Sequence, residues 1–114
     1  MAKYLYLFRG GDARRIQESP EAMQEHMEKW KTWMSGLAQK GQLIDGLPLS
    51  KEGKQVLKAG EVVHDGPYAE GKEIVGGYLM VNADDIDGAV EISKGCPIFE
   101  HDGQVEVREI LNMD

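Results

Sequence analysis

The stretch Asp65–Val81, DGPYAEGKEIVGGYLMV, decides how the rest of the chain is read. It opens on Asp65–Gly66–Pro67, a turn with a physical mechanism. Glycine tolerates backbone angles closed to other residues, while proline has no N–H to donate and restricts the residue before it. A carboxylate at the entrance of such a turn can point into a cleft instead of joining a ladder. Ile74–Val81 then reads as a central strand, apolar throughout apart from Gly76 and Gly77. Lys3–Phe8 has the same character, with Tyr4, Tyr6 and Phe8 alternating with Leu5 and Leu7. A strand that is apolar on both faces must be covered on both sides.

Working outward, Ser19–Pro20–Glu21 starts a helix: serine caps, proline takes the first position and glutamate favours the positive end of the dipole. The helix is expected to run to about Lys40, with Gly41 in the usual terminating place. At 100° per residue, Met23, His26, Met27, Trp30, Trp33, Met34 and Leu37 share one sector, which predicts a buried stripe rich in aromatics and methionine. Leu43–Leu49 reads as a second strand, broken near Gly46 and Pro48. Lys54–Ala59 and Glu61–His64 read as a peripheral hairpin joined at Gly60. Asp84 or Asp85 caps a second helix carrying Ile86, Ala89 and Val90, which ends at Gly95 with Pro97 beyond it. Gln104–Leu111 closes the chain as a strand. The order is β-α-β, a small hairpin, then β-α-β, which predicts an α+β fold: a ferredoxin-like antiparallel sheet in one domain over 1–114. Two helices cover only one face of such a sheet. A two-fold partner covering the other predicts a homodimer.

Composition narrows the function classes. A chain of 114 residues suits one domain with one modest core. A formal net charge of −7 opposes a phosphate backbone, so nucleic-acid binding is not expected. No apolar run approaches the roughly 20 residues needed to span a bilayer, and the segment after Met1 lacks the form of a signal peptide. One cysteine excludes an internal disulfide, so a cytoplasmic location is expected.

The candidate chemistry centres on His26, at the edge of the helix's apolar sector, where a half-buried imidazole opening into a cleft can serve as an acid or base near neutral pH. Asp65 is its candidate partner, orienting the ring or accepting a substrate proton; the plainer reading is a turn residue bonding its own backbone. Trp30, Trp33 and Tyr68 are candidate pocket walls, although core packing is the commoner fate of tryptophans on a helix. Lys72 is a candidate for binding an anionic substrate group. His64 and His101 lack zinc-ligand spacing with His26, and no cysteine pair supports them, so no metal site is expected. Arg9–Gly10–Gly11 with Arg14 and Arg15 lacks a phosphate-loop pattern and reads as a solvated basic loop. Cys96 before Pro97 reads as a small buried hydrophobe.

The DGPY turn, the Lys72–Glu73 pair, Gly76–Gly77, Cys96–Pro97, Val105–Arg108, the Trp-bearing helix and Gly46–Leu49 together resemble the DGPF-type branch of the YCII-related proteins, with Tyr68 where the motif usually has phenylalanine. The resemblance covers nearly the whole chain and implies a dimeric α/β barrel. In the better-studied branch a first-helix histidine paired with an aspartate is a proposed catalytic dyad; His26 matches that helix position, and Asp65 is the corresponding candidate. Two function classes follow from the resemblance. One is a small enzyme performing acid/base chemistry on a small organic molecule without a cofactor, with catalytic His26 and Asp65. The other is a non-catalytic dimeric binding or regulatory module with a transcription-related partner, since DGPF-type members resemble proteins encoded beside extracytoplasmic-function sigma factors.

Overall fold

A computed structural model of the chain describes residues 2–10, 19–70 and 73–113. The strands are β1 (Ala2–Arg9), β2 (Leu43–Pro48), β3 (Lys54–Leu57), β4 (Val62–Asp65), β5 (Ala69–Glu70), β6 (Glu73–Ala83) and β7 (Gln104–Ile110). The helices among the described residues are α1 (Pro20–Gln39) and α2 (Ile86–Ser93). The main sheet runs β2-β6-β1-β7 with every neighbour antiparallel, and β5 folds back on the start of β6. This is the ferredoxin-like α+β arrangement that the element order predicts. β3 and β4 form the separate hairpin.

The ends of the helices follow their capping chemistry. Ser19 Oγ accepts from the Ala22 N–H at 3.2 Å, and Pro20 opens α1. Asp85 is the cap of α2, accepting from the Gly88 N–H at 2.8 Å. Gly41 leaves α1 at φ 71°, a conformation costly for a residue with a side chain.

One face of the sheet carries the core. Tyr4, Tyr6 and Phe8 on β1 alternate inward beside Leu79, Val81 and Ala83 on β6, and Leu37 of α1 and Ala89 of α2 close over them. The hydroxyl of Tyr6 donates to the Ala89 carbonyl, tying β1 to α2, and burial raises its pKa. Cys96 is buried in the same core, and desolvation pushes its thiol up to about 12. It therefore stays protonated and packs as a small hydrophobe.

The opposite face carries Leu5, Leu7, Tyr78 and Met80, all half-buried, with Arg9 and Arg108 paired to Glu106 at its β7 side. Those two guanidiniums hold the Glu106 carboxyl below its ordinary range, the Arg9 hydrogen bond most of all. The molecule is a slab of 47 × 45 × 19 Å. Its thickness is that of one sheet plus one helix layer, at about 10 Å each. Its radius of gyration, 15.7 Å, exceeds the roughly 13 Å of a compact domain of this length. No helix among the described residues is long and apolar enough to cross a membrane.

Candidate functional site

The helix stripe predicted to be buried is only partly so. Leu37 near the C-terminal end of α1 is buried, whereas Met23 and Met27 in its first half are 40% and 53% exposed. Across the gap the lining includes Gly46, Gly76 and Gly77, and of these only Gly77 stands where a longer side chain would otherwise pack against the helix. A cavity of about 370 Å³ opens between the helix and these glycines. Phe8, Met23, Met27, Trp30, Met34 and Leu79 form most of its apolar wall. This lies at the small end of the range for small-molecule sites.

The polar end of the cavity holds His26 and His101. His101 arrives on a short 3-10 turn, Pro97–His101, which begins after Cys96 and ends at Asp102 in the left-handed region with φ 59°. The two imidazoles meet edge to face, with centroids 4.6 Å apart. His26 Nε2 accepts from the Trp30 indole N–H at 2.9 Å, one helical turn away. An indole nitrogen only donates, so Nε2 must offer its lone pair, and the proton of the neutral ring sits on Nδ1. Nδ1 is buried without a hydrogen-bond partner. Leaving a buried donor unpaired costs about 1–3 kcal/mol. Glu100 Oε2 approaches to 3.9 Å, too far for a hydrogen bond. Burial, and then the neighbouring His101, lower the pKa of His26, with Glu100 opposing and Lys29 assisting. His26 is therefore held neutral.

The carboxylate that approaches His26 is Glu100, and Asp65 is not among the residues lining the cavity. Asp65 ends β4, its side chain 91% exposed and paired with Lys54 Nζ at 2.6 Å across the hairpin. The physical reason is local. The residue two positions on is Pro67, which has no N–H to offer, so the carboxylate turns to its cross-strand neighbour instead. Gly66 does take the positive φ expected of the turn, 89°. Trp30 lines the cavity; Trp33 instead borders a shallow groove on the other flank of α1, near Gly95 and Cys96. Tyr68 is 67% exposed and lines neither. Lys72, Arg14 and Arg15 lie outside the described residues.

Glu100 and His101 were missed as partners of His26, and their proximity overturns the spacing argument against a metal. One ligand atom from each of His26, Glu100 and His101 lies within 4.8 Å of the others. Two features nevertheless oppose a cation. The Trp30 hydrogen bond leaves Nδ1 protonated instead of free to ligate, and Lys29 Nζ already grips both Glu100 oxygens at 3.1 and 3.2 Å. The arrangement suits proton exchange and hydrogen bonding better than metal coordination.

No curated protein matches the chain. The model of the YCII-related domain matches it over residues 11–114, which take in every described helix and strand after β1 and the turn bearing His101. The chain belongs to the YCII-related domain family.

Proposed function

We propose that this protein, a DGPF-type member of its family by its Asp65–Tyr68 turn, binds a small, mainly apolar molecule between α1 and the sheet and transfers a proton on it without a cofactor. The observation that carries this reading is an apolar cavity ending in two histidines, His26 and His101. His101, half-buried on a turn at the polar end of the cavity, is the member to which the proton transfer is assigned. His26, held neutral, is the fixed hydrogen-bond donor. The alternative, a non-catalytic binding or regulatory module, uses the same cavity and is separated from it by turnover.

A thermal-shift screen of small apolar molecules tests the binding. A ligand present at 100 times its Kd should stabilise the wild type by about 2.7 kcal/mol. Met27→Trp enlarges an exposed residue at the wall and should abolish that shift while leaving the unliganded stability close to wild type. Ligands that stabilise both proteins equally bind elsewhere, and the reading fails.

The same proposal includes a homodimer in which the sheet faces of two copies meet, closing a dimeric α/β barrel. It is supported by the slab shape and by Leu5, Leu7, Tyr78 and Met80 lying on the face without helices. Light scattering at micromolar concentration should give about twice the 12.7 kDa chain mass. A well-behaved monomer would mean that this face is tolerated in water.

A further inference from the structure

Resting on the reading of the cavity as a small-molecule site, we infer that its ligand is an uncharged carbonyl compound whose oxygen accepts from the Nδ1–H of His26, with Trp30 as the residue that fixes that proton in place. Three observations converge on this class. The first is the donor itself: Trp30 occupies Nε2 at 2.9 Å and so commits the ring to a single donor at Nδ1, which is buried with no partner in the protein. A group built to donate and left unpaired selects for an acceptor atom on the ligand and against a hydrocarbon of the same shape.

The second is charge. Glu100 Oε2 stands 3.9 Å from Nδ1, and His26 is neutral, so an anionic head group would meet a carboxylate there with no cation on the ring to offset it. Lys29 is already engaged by Glu100. A neutral oxygen is favoured over a carboxylate. The third is the wall: Met23, Met27 and Met34 face Phe8 and Trp30 around the space, a lining of adaptable thioethers and flat rings that suits an apolar or aromatic body.

Nδ1 is screened from water, so a ligand oxygen reaching it must displace a neighbour. Glu100 is held by Lys29, whereas His101 is half-buried on a short turn, and its ring is the one to rotate. That rotation brings the second imidazole alongside the bound carbonyl. Removal of a proton by His101 from the carbon next to the carbonyl places the C–H electron pair in a new C=C bond. The carbonyl π pair moves onto the oxygen, where Nδ1–H donates and the imidazolium that His101 becomes on taking the proton offsets the new charge beside Glu100. Where the ligand carries a C=C bond beyond that carbon, returning the proton to the far end of the conjugated system moves the double bond and completes an isomerisation in which nothing is gained or lost overall. In this scheme His26 acts as a neutral hydrogen-bond donor and not as the base, and Trp30 is a positioning residue.

Three probes of matched shape test the inference: acetophenone, ethylbenzene and benzoate, titrated while the imidazole ¹⁵N signals of the full chain are followed by NMR. The ligand-free protein should show His26 as the Nδ1–H tautomer. Acetophenone should bind at least tenfold more tightly than either other probe and shift the Nδ1 signal. In His26→Phe the advantage of the ketone over the hydrocarbon should disappear. In Trp30→Phe the ring should populate both tautomers and lose most of that advantage, with the fold intact. An Nε2–H tautomer in the wild type would overturn the inference, as would a Nδ1–H already strongly hydrogen-bonded and released by Glu100→Gln. Equal binding of all three probes, or tightest binding of benzoate, overturns it while leaving the cavity as a ligand site. Binding of none overturns the cavity reading as well.

Discussion

Gly46→Val is expected to destabilise the fold by about 1–3 kcal/mol, as overpacking of a filled site does, and to lower Tm by roughly 5–20 °C. A Cβ at position 46 would stand 2.3 Å from Leu79 Cδ1, 2.8 Å from the Tyr78 carbonyl oxygen and 3.1 Å from Leu79 Cα. The first of these is the far end of a side chain that borders the cavity, so it can give way, and the cost falls on the other two. The other two are backbone, so β2 must move away from β6 and weaken the ladder that pairs Gly46 with Leu79. Gly76→Ala is the control. Nothing lies within 4 Å of a Cβ there, and a change within about 0.5 kcal/mol is expected. Urea unfolding of both variants checks the pair. Equal stabilities would mean that β2 and β6 do not approach each other as closely as described.

For any compound that the protein turns over, His101→Asn should lower kcat by about 10²–10⁴, the usual worth of a positioned general base, with KM little changed. His101 touches the cavity and stacks edge-on against His26, so its removal takes away the proton acceptor but leaves the apolar wall that binds the ligand. Asp65→Asn should leave kcat within about twofold, since exposed pairs such as Lys54–Asp65 contribute little beyond their own locality. Steady-state kinetics of the two variants side by side decide between Asp65 and His101. A collapse of activity in Asp65→Asn with His101→Asn unaffected would restore the Asp65 dyad and remove the role given to His101.

The fold was legible because its signals are local. Ser19 and Pro20, Asp85, Gly41 and the doubly apolar strands each state their own structure within a few residues, and the observed boundaries follow them closely. The hairpin joint was less so: Lys58 and Ala59 take positive φ at 50° and 55° without being glycine, a short 3-10 turn that no residue type announces. The site was half legible. Periodicity placed His26, Trp30 and the methionines on one side of α1, but it carries no information on what faces them. Glycines 46, 76 and 77 line the space opposite, and the stripe borders a cavity where a packed interior was expected. His101 is more than seventy positions from His26 and reaches it only because Pro97 and the left-handed Asp102 wind the intervening residues into a tight turn. A glutamate and a histidine held in one turn after Cys96–Pro97 were the available hint. The DGPY motif pointed at Asp65 with family weight; the missing N–H of Pro67 removes only its backbone bond, and the carboxylate is taken up by Lys54 across the hairpin, which no local signal announces.

The pairing of β1 has a consequence for how the chain comes into being. Its neighbours on both sides, β6 and β7, are made after α1, β2 and the hairpin, so during synthesis Lys3–Phe8 waits with neither edge paired. Tyr6 and Phe8 meet Leu79 and Gly77 only once some seventy further residues exist, and closing so long a loop makes the step slow. Until then an apolar ribbon with two open edges is available to any other strand on the ribosome or in the same cell. An interior strand of the finished sheet is thus the most vulnerable segment of the unfinished one, and the yield of native protein depends on how well it is shielded until its late partners arrive.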